Sequence, residues 1–126
     1  MRLLLDTNAL IWTLVNRERI SPIAMDAIED EANDVFVSVV SAWEIEIKAA
    51  RRRLEVPSDL QDAFATQGFE PLAVAMRHAY SVESLPRYHR DPFDRMIIAQ
   101  AHLERMTIVT SDSEIKRYPV SVMAAV

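Results

Sequence analysis

Five carboxylates in this chain sit where acids can do chemistry together. Asp6 closes the apolar run "RLLLD", Glu44 lies in "SAWEIEIK", Asp91 and Asp94 flank a proline in "HRDPFDRMIIAQA", and Asp112 ends "TIVTSD". Gathered without partners, such groups raise one another's pKa and oppose ionisation. A divalent cation removes that cost. Mg²⁺ takes hard oxygen ligands, commonly one or two carboxylates with several waters retained, and binds phosphates directly. Two such ions roughly 3.5–4 Å apart can activate an attacking water and stabilise the leaving oxygen of a phosphodiester displacement.

Each acid also has an ordinary explanation. Asp6 could form a turn at a strand end, although a carboxylate following three leucines of a buried strand is unusual without a partner. Glu44 fits the third position of a capping box opened by Ser41 and could pair with Lys48 one turn on. Asp112 could start a last short helix. Asp91, directly before Pro92, fits a helix N-cap, which suffices to explain it. Asp94 then falls at the third helical position, where a capping box prefers the longer Glu or Gln, leaving the helix dipole as its ordinary role. Thr7 and Asn8, next to Asp6, could orient a water or phosphate or simply form the turn.

The elements that must position these acids alternate along the chain. "RLLLD" and the β-branched "DVFVSVV" (34–40) read as buried strands, and "EPLAV" (70–74), "TIVTSD" (107–112) and "PVSVM" (119–123) repeat the pattern more weakly. Helices are expected from "SPIAMDAIEDEA", "SAWEIEIKAARRRL", "SDLQDAFATQ" and "DPFDRMIIAQAHLERM", capped by Ser21, Ser41, Ser58 and Asp91. "WEIEIK" alternates with period two, as a strand would, but the strand before it and the Ser41 cap favour helix; Pro57 supplies a break before the next one. Strands alternating with helices predict a three-layer α/β/α sandwich around a mostly parallel sheet of about five strands, with right-handed crossovers. In such sheets ligands collect at the carboxyl ends of the strands, where these acids are expected.

With 126 residues, half of them apolar and only one glycine, residues 1–126 are expected to form a single domain with one substantial core. The absence of cysteine excludes thiolate metal sites and cysteine nucleophiles. Asp6 and Asn8 interrupt any apolar leader region and no membrane span follows, so a cytoplasmic protein is expected. A net charge of −5 argues against non-specific coating of nucleic acid. It leaves open an enzyme whose metal supplies positive charge locally, and "KAARRR" (48–53) is a basic patch whose simpler reading is cations at a helix C-terminus. His78, His89 and His102 show no ligand spacing and read as surface or capping residues, with His89, beside the acids, the best placed of the three to touch substrate; Trp12 and Trp43 read as core. Ile11, Trp12, Leu14 and Val15 make more apolar surface than one face of a short helix requires.

Taken in order, "LLLDTNALIW", "SVVSAWEIEIK", "HRDPFDRMIIAQA" and "TIVTSD" resemble the PIN-domain family, and within it the VapC-type toxins of bacterial toxin–antitoxin modules, over nearly the whole chain. The resemblance implies an endoribonuclease dependent on Mg²⁺ or Mn²⁺. It implies Asp6 and Asp94 as principal metal ligands, with Glu44 and Asp112 completing the acidic pocket directly or through water. It selects Asp94, directly before "RMIIAQA", over Asp91, and adds Asn8 as a substrate contact. It further implies a homodimer, held inactive by a small cognate antitoxin for which the apolar excess around Ile11 and Trp12 is a docking surface. A non-catalytic PIN-like domain that binds RNA or protein is the alternative; it would not need every acid, and all are present. An aspartate-based phosphotransferase or phosphatase is a poorer fit, because a haloacid-dehalogenase-like enzyme would place a second aspartate where Asn8 stands.

Overall fold

The computed structural model describes residues 1–51 and 60–126. Its elements run β1 (Arg2–Leu5), α1 (Thr7–Val15), α2 (Pro22–Glu29), β2 (Asp34–Ser38), α3 (Val39–Ala50), α4 (Leu60–Thr66), β3 (Glu70–Leu72), α5 (Met76–Val82), α6 (Pro92–Glu104), β4 (Thr107–Thr110) and β5 (Ser121–Ala124). Two 3₁₀ turns, Arg17–Arg19 and Ser113–Arg117, follow α1 and β4. Arg52, Arg53, Pro57 and Ser58, on which the basic patch, a helix break and a cap were expected, lie outside the described residues.

The strands form one sheet in the order β3-β2-β1-β4-β5, every pair parallel. This is the expected five-stranded sheet of a three-layer sandwich. Successive side chains point to opposite faces, and the core divides accordingly. Leu3, Leu5, Val35, Val37 and Val109 pack with α1, α2 and α4 on one face. Leu4, Phe36 and Ile108 pack with α5 and α6 on the other. Leu3, Leu4 and Leu5 are wholly buried, each contributing about 1.5–3 kcal/mol over an exposed side chain. Among the described residues no helix is long and apolar enough to cross a membrane.

Local signals held where the cap is the only polar choice. Ser21 accepts from Ala24 N–H at 3.1 Å before Pro22, and Asp91 accepts from Phe93 N–H at 2.8 Å before Pro92. They failed where two serines compete. The strand "DVFVSVV" stops at Ser38, which caps α3 by accepting from Val40 N–H at 3.1 Å, so Ser41 lies one turn inside the helix and is buried. Pairing sets the boundary: Leu5, the last residue of β1, sits opposite Val37 and Val109, and β2 ends one residue later. Helix α5 carries no polar cap residue; instead His78 Nδ1, three residues on, accepts from Ala75 N–H at 2.9 Å. At the far end of α6, Arg105 takes the left-handed conformation (φ 54°), and Met106 N–H closes on Ala101 C=O at 3.0 Å before β4 begins.

Of the two tryptophans, Trp12 packs against the edge of the core and Trp43 does not. Trp43 is 61% exposed and meets Phe93 edge-on at 5.3 Å, because α3 turns this face away from the sheet. Trp12 is half-buried, with the Arg19 guanidinium 4.4 Å above its ring, so part of the apolar excess of α1 is covered by the turn that follows.

Candidate functional site

The sheet's connections reverse direction between β1 and β4, and in open α/β sheets the crevice at the carboxyl end of such a switch point holds the ligand. Register brings Asp6, Ser38 and Thr110 out side by side at that edge, since Leu5 is opposite both Val37 and Val109. Asp6 caps α1, its Oδ1 accepting from Ala9 N–H at 2.8 Å. Helix α6 leads into β4, so its first turn lies at the same edge and carries Asp94. Asp112 follows β4 by two residues and caps the 3₁₀ turn, its Oδ1 accepting from Glu114 N–H at 2.9 Å. Glu44, second turn of α3, loses its expected capping role because Ser41 is not the cap.

Glu44 is 4% exposed and both oxygens are engaged: Thr7 Oγ1 donates to Oε1 at 2.6 Å and Lys48 Nζ to Oε2 at 2.7 Å. Thr7 also lies 3.1 Å from Ser41 Oγ, so three buried polar side chains form one satisfied network. The bond to Glu44 raises the Lys48 pKa, keeping the ammonium charged. Asp112 has a comparable partner, His89 Nε2, at 2.6 Å from Oδ2. Burial pushes the Asp112 carboxyl up, but the His89 and Glu114 hydrogen bonds outweigh it and hold the group below its ordinary value.

Asp6 and Asp94 are placed differently. Burial raises the Asp6 pKa, and the facing Asp112 and Glu44 carboxylates add to it, against the Thr110 hydroxyl and the Ala9 N–H. Burial, followed by the charges of Asp91, Glu44 and Asp6, pushes Asp94 up to about 6. Among the described residues neither carboxylate has a cationic hydrogen-bonding partner. Asp91, by contrast, is exposed and occupied with Phe93 and Asp94 N–H at 2.8 and 3.4 Å. Asn8 is exposed at the start of α1, on the same edge.

The structure thus brings Asp6, Glu44, Asp94 and Asp112 into one electrostatically coupled group, with Asp91 at its rim. The sequence does not announce Thr7 as a donor to Glu44; His89 lies beside the acids as expected, but as an 11% exposed partner of Asp112 rather than a surface or capping residue. No local pattern announces either contact, which join residues 37 and 23 positions apart. The donor set is hard oxygen, the set Mg²⁺ and Mn²⁺ take. Among the described residues no three carboxylates or imidazoles stand close enough to enclose one ion. A cation here would draw on one or two carboxylates and complete its shell with water and substrate oxygens, the usual Mg²⁺ arrangement.

A parallel sheet with helices on both faces and an acidic switch point is the frame of a PIN domain, and the PIN-domain family model matches residues 3–120. The chain belongs to that family. No curated protein matches it significantly. Among solved structures it is similar to VapBC2 from Rickettsia felis bound to a promoter DNA fragment, with TM-score 0.71, 16% identity and 98% of each chain covered. It is also similar to a toxin–antitoxin complex from Klebsiella pneumoniae, with TM-score 0.70, 20% identity and 98% of each chain covered. FitAcB from Neisseria gonorrhoeae aligns with TM-score 0.66 and 20% identity over 98% of this chain and 97% of that one. At these identities the likeness establishes the shared fold.

Proposed function

We propose that this PIN domain is a metal-dependent endoribonuclease and the toxin component of a VapBC-type toxin–antitoxin pair. The observation that carries the reading is the placement of Asp6 and Asp94: two half-buried carboxylates at the carboxyl edge of the sheet's switch point, both with raised pKa and, among the described residues, neither with a cationic hydrogen-bonding partner. They are the principal ligands for Mg²⁺ or Mn²⁺. When bound, the cation supplies Lewis acidity toward the scissile phosphate and lowers the pKa of water beside it. Glu44 and Asp112, already fastened by Lys48, Thr7 and His89, complete the pocket and accept hydrogen bonds from water within it. Exposed Asn8 contacts the RNA.

The toxin assignment is supported by neighbours of the same fold that are themselves toxin–antitoxin complexes. An antitoxin has a place to dock: an apolar cleft between α1, α3 and α4, lined by Leu10, Leu14, Ile45 and Phe64 among others. The protein works as a homodimer in the cytoplasm. The test is incubation of the purified protein with RNA from its own cells, with Mg²⁺, with Mn²⁺ and with EDTA. Metal-dependent cleavage that Asp6→Asn and Asp94→Asn each eliminate is the expected result. No cleavage with either metal, by a folded protein freed of any co-purified inhibitor, would sink the nuclease reading.

A further inference from the structure

We propose that His89 and Tyr118 form a positioning relay that holds Asp112 in the acidic pocket, an inference that rests on the nuclease reading above. His89 Nε2 lies 2.6 Å from Asp112 Oδ2, and its other nitrogen, Nδ1, lies 2.8 Å from the Tyr118 hydroxyl. An ionised carboxylate only accepts hydrogen bonds, so Nε2 carries the proton facing Asp112. In the neutral ring Nδ1 is then an acceptor, and the Tyr118 O–H donates to it, which selects the tautomer and the ring orientation together. Tyr118 is buried and can serve as a fixed post.

The loop that delivers His89 is itself fastened. Arg95, the residue after Asp94, is buried and donates from Nη1 to Pro86 C=O at 2.9 Å and from Nη2 to Val82 C=O at 2.8 Å. Tyr88 meets the Tyr118 ring edge-on at 5.1 Å, and the Arg117 guanidinium stacks over Tyr88 at 3.8 Å. These contacts join the 83–91 loop to the turn that bears Asp112. Asp112 needs the help: its side chain is 38% exposed, and its local capping bond to Glu114 N–H engages only Oδ1. His89 engages the other oxygen. A carboxylate held at both oxygens keeps one orientation toward a metal or its water shell; held at one, it turns.

A merely structural His89 would fasten the loop regardless of Asp112, so the test is a double-mutant cycle on the full-length protein. The variants are His89→Ala, Asp112→Ala, the pair together, His89→Gln and Tyr118→Phe, each checked for fold by circular dichroism. Two readouts are taken: kcat and KM on a single-stranded RNA that the wild type cleaves, and Mn²⁺ affinity by calorimetry. His89→Ala is expected to lower kcat and Mn²⁺ affinity about 10–100-fold, the usual cost of removing a group that orients a metal-site carboxylate. His89→Gln, whose amide N–H reaches the place of Nε2, should restore most of both. Tyr118→Phe should lose about five-fold, as for one neutral hydrogen bond. In the Asp112→Ala background His89→Ala should add less than about two-fold.

Full additivity in that background, or wild-type kcat and Mn²⁺ affinity in folded His89→Ala, overturns the relay and leaves the nuclease reading intact. Should the alanine variant fail to fold, His89→Gln and Tyr118→Phe decide: losses that add fully to those of Asp112→Ala overturn it. A wild type that neither binds Mn²⁺ nor cleaves RNA overturns the nuclease reading instead.

Discussion

The two halves of the acidic pocket are built on opposite principles. Glu44 and Asp112 each meet a partner supplied by the fold, Lys48 with Thr7 in one case and His89 in the other. Asp6 and Asp94 meet mainly burial and then the charge of neighbouring carboxylates, Asp112 and Glu44 for the first and Asp91 and Glu44 for the second, and both resist ionisation for that reason. A half-buried charge without a counterion is costly, so two such acids at one sheet edge support the proposed role of a cation from outside.

The largest effect that would break this contrast is on cleavage. Asp6→Asn or Asp94→Asn should lower kcat/KM about a thousand-fold or more, several kcal/mol of lost charge stabilisation, in a protein that still folds. A variant of either acid that keeps a tenth of the wild-type rate would erase the distinction. Glu44→Gln and Asp112→Asn should cost less, about 10–100-fold, because in the proposed site those groups would shape the pocket rather than anchor the ion. Equal losses at all four positions would show a single undivided ligand set.

Acidity sharpens the same contrast through stability. The Asp94 pKa is raised from 3.8 to about 6, so in metal-free protein the stability its protonated form contributes is complete below about pH 3.8 and is lost as pH rises through about 6. Asp6 shifts in the same direction. Melting in EDTA should therefore fall between pH 5 and pH 7 by a few degrees more in wild type than in Asp94→Asn, about 1 kcal/mol once solvent screening is allowed for. Saturating Mg²⁺ should close the gap at pH 7. Parallel melting curves for the two proteins in EDTA would remove the electrostatic basis for a metal at Asp94.

The smallest effect belongs to Asp91, three residues from Asp94 and on the same turn. Asp91→Asn keeps a good cap acceptor and should leave cleavage within about two- to three-fold of wild type, while Asp91→Ala lowers stability by about 1 kcal/mol. Equal damage from Asp91→Asn and Asp94→Asn would show that the proposed metal-binding role does not belong to Asp94 alone.

Much of the scaffold was legible because it is written in neighbours. Alternation of strands and helices and the caps at Ser21 and Asp91 need only a few adjacent residues to be read. Local residues do not fix the cap of α3, because Ser38 is as good a cap as Ser41 and sheet register, a long-range property, chooses between them. Helix α5 escaped notice because its polar cap partner is His78, inside the helix, whose Nε2 in turn meets Glu104 at 2.8 Å on α6. Trp43 is exposed because hydrophobicity predicts only a preference for burial, whereas its position on α3 decides the outcome.

The amino-acid sequence by itself determined the kind of sheet, the order of the acids and their arrival at its carboxyl edge, since period, cap chemistry and crossover handedness are local or follow from chain order. Only the tertiary structure decided which acids have partners. His89 reaches Asp112 across 23 residues and Thr7 reaches Glu44 across 37, and burial and field, not residue type, set the pKa of Asp94. Residue identity supplies a carboxylate; whether it is a finished ion pair or an open ligand depends on what the fold brings beside it.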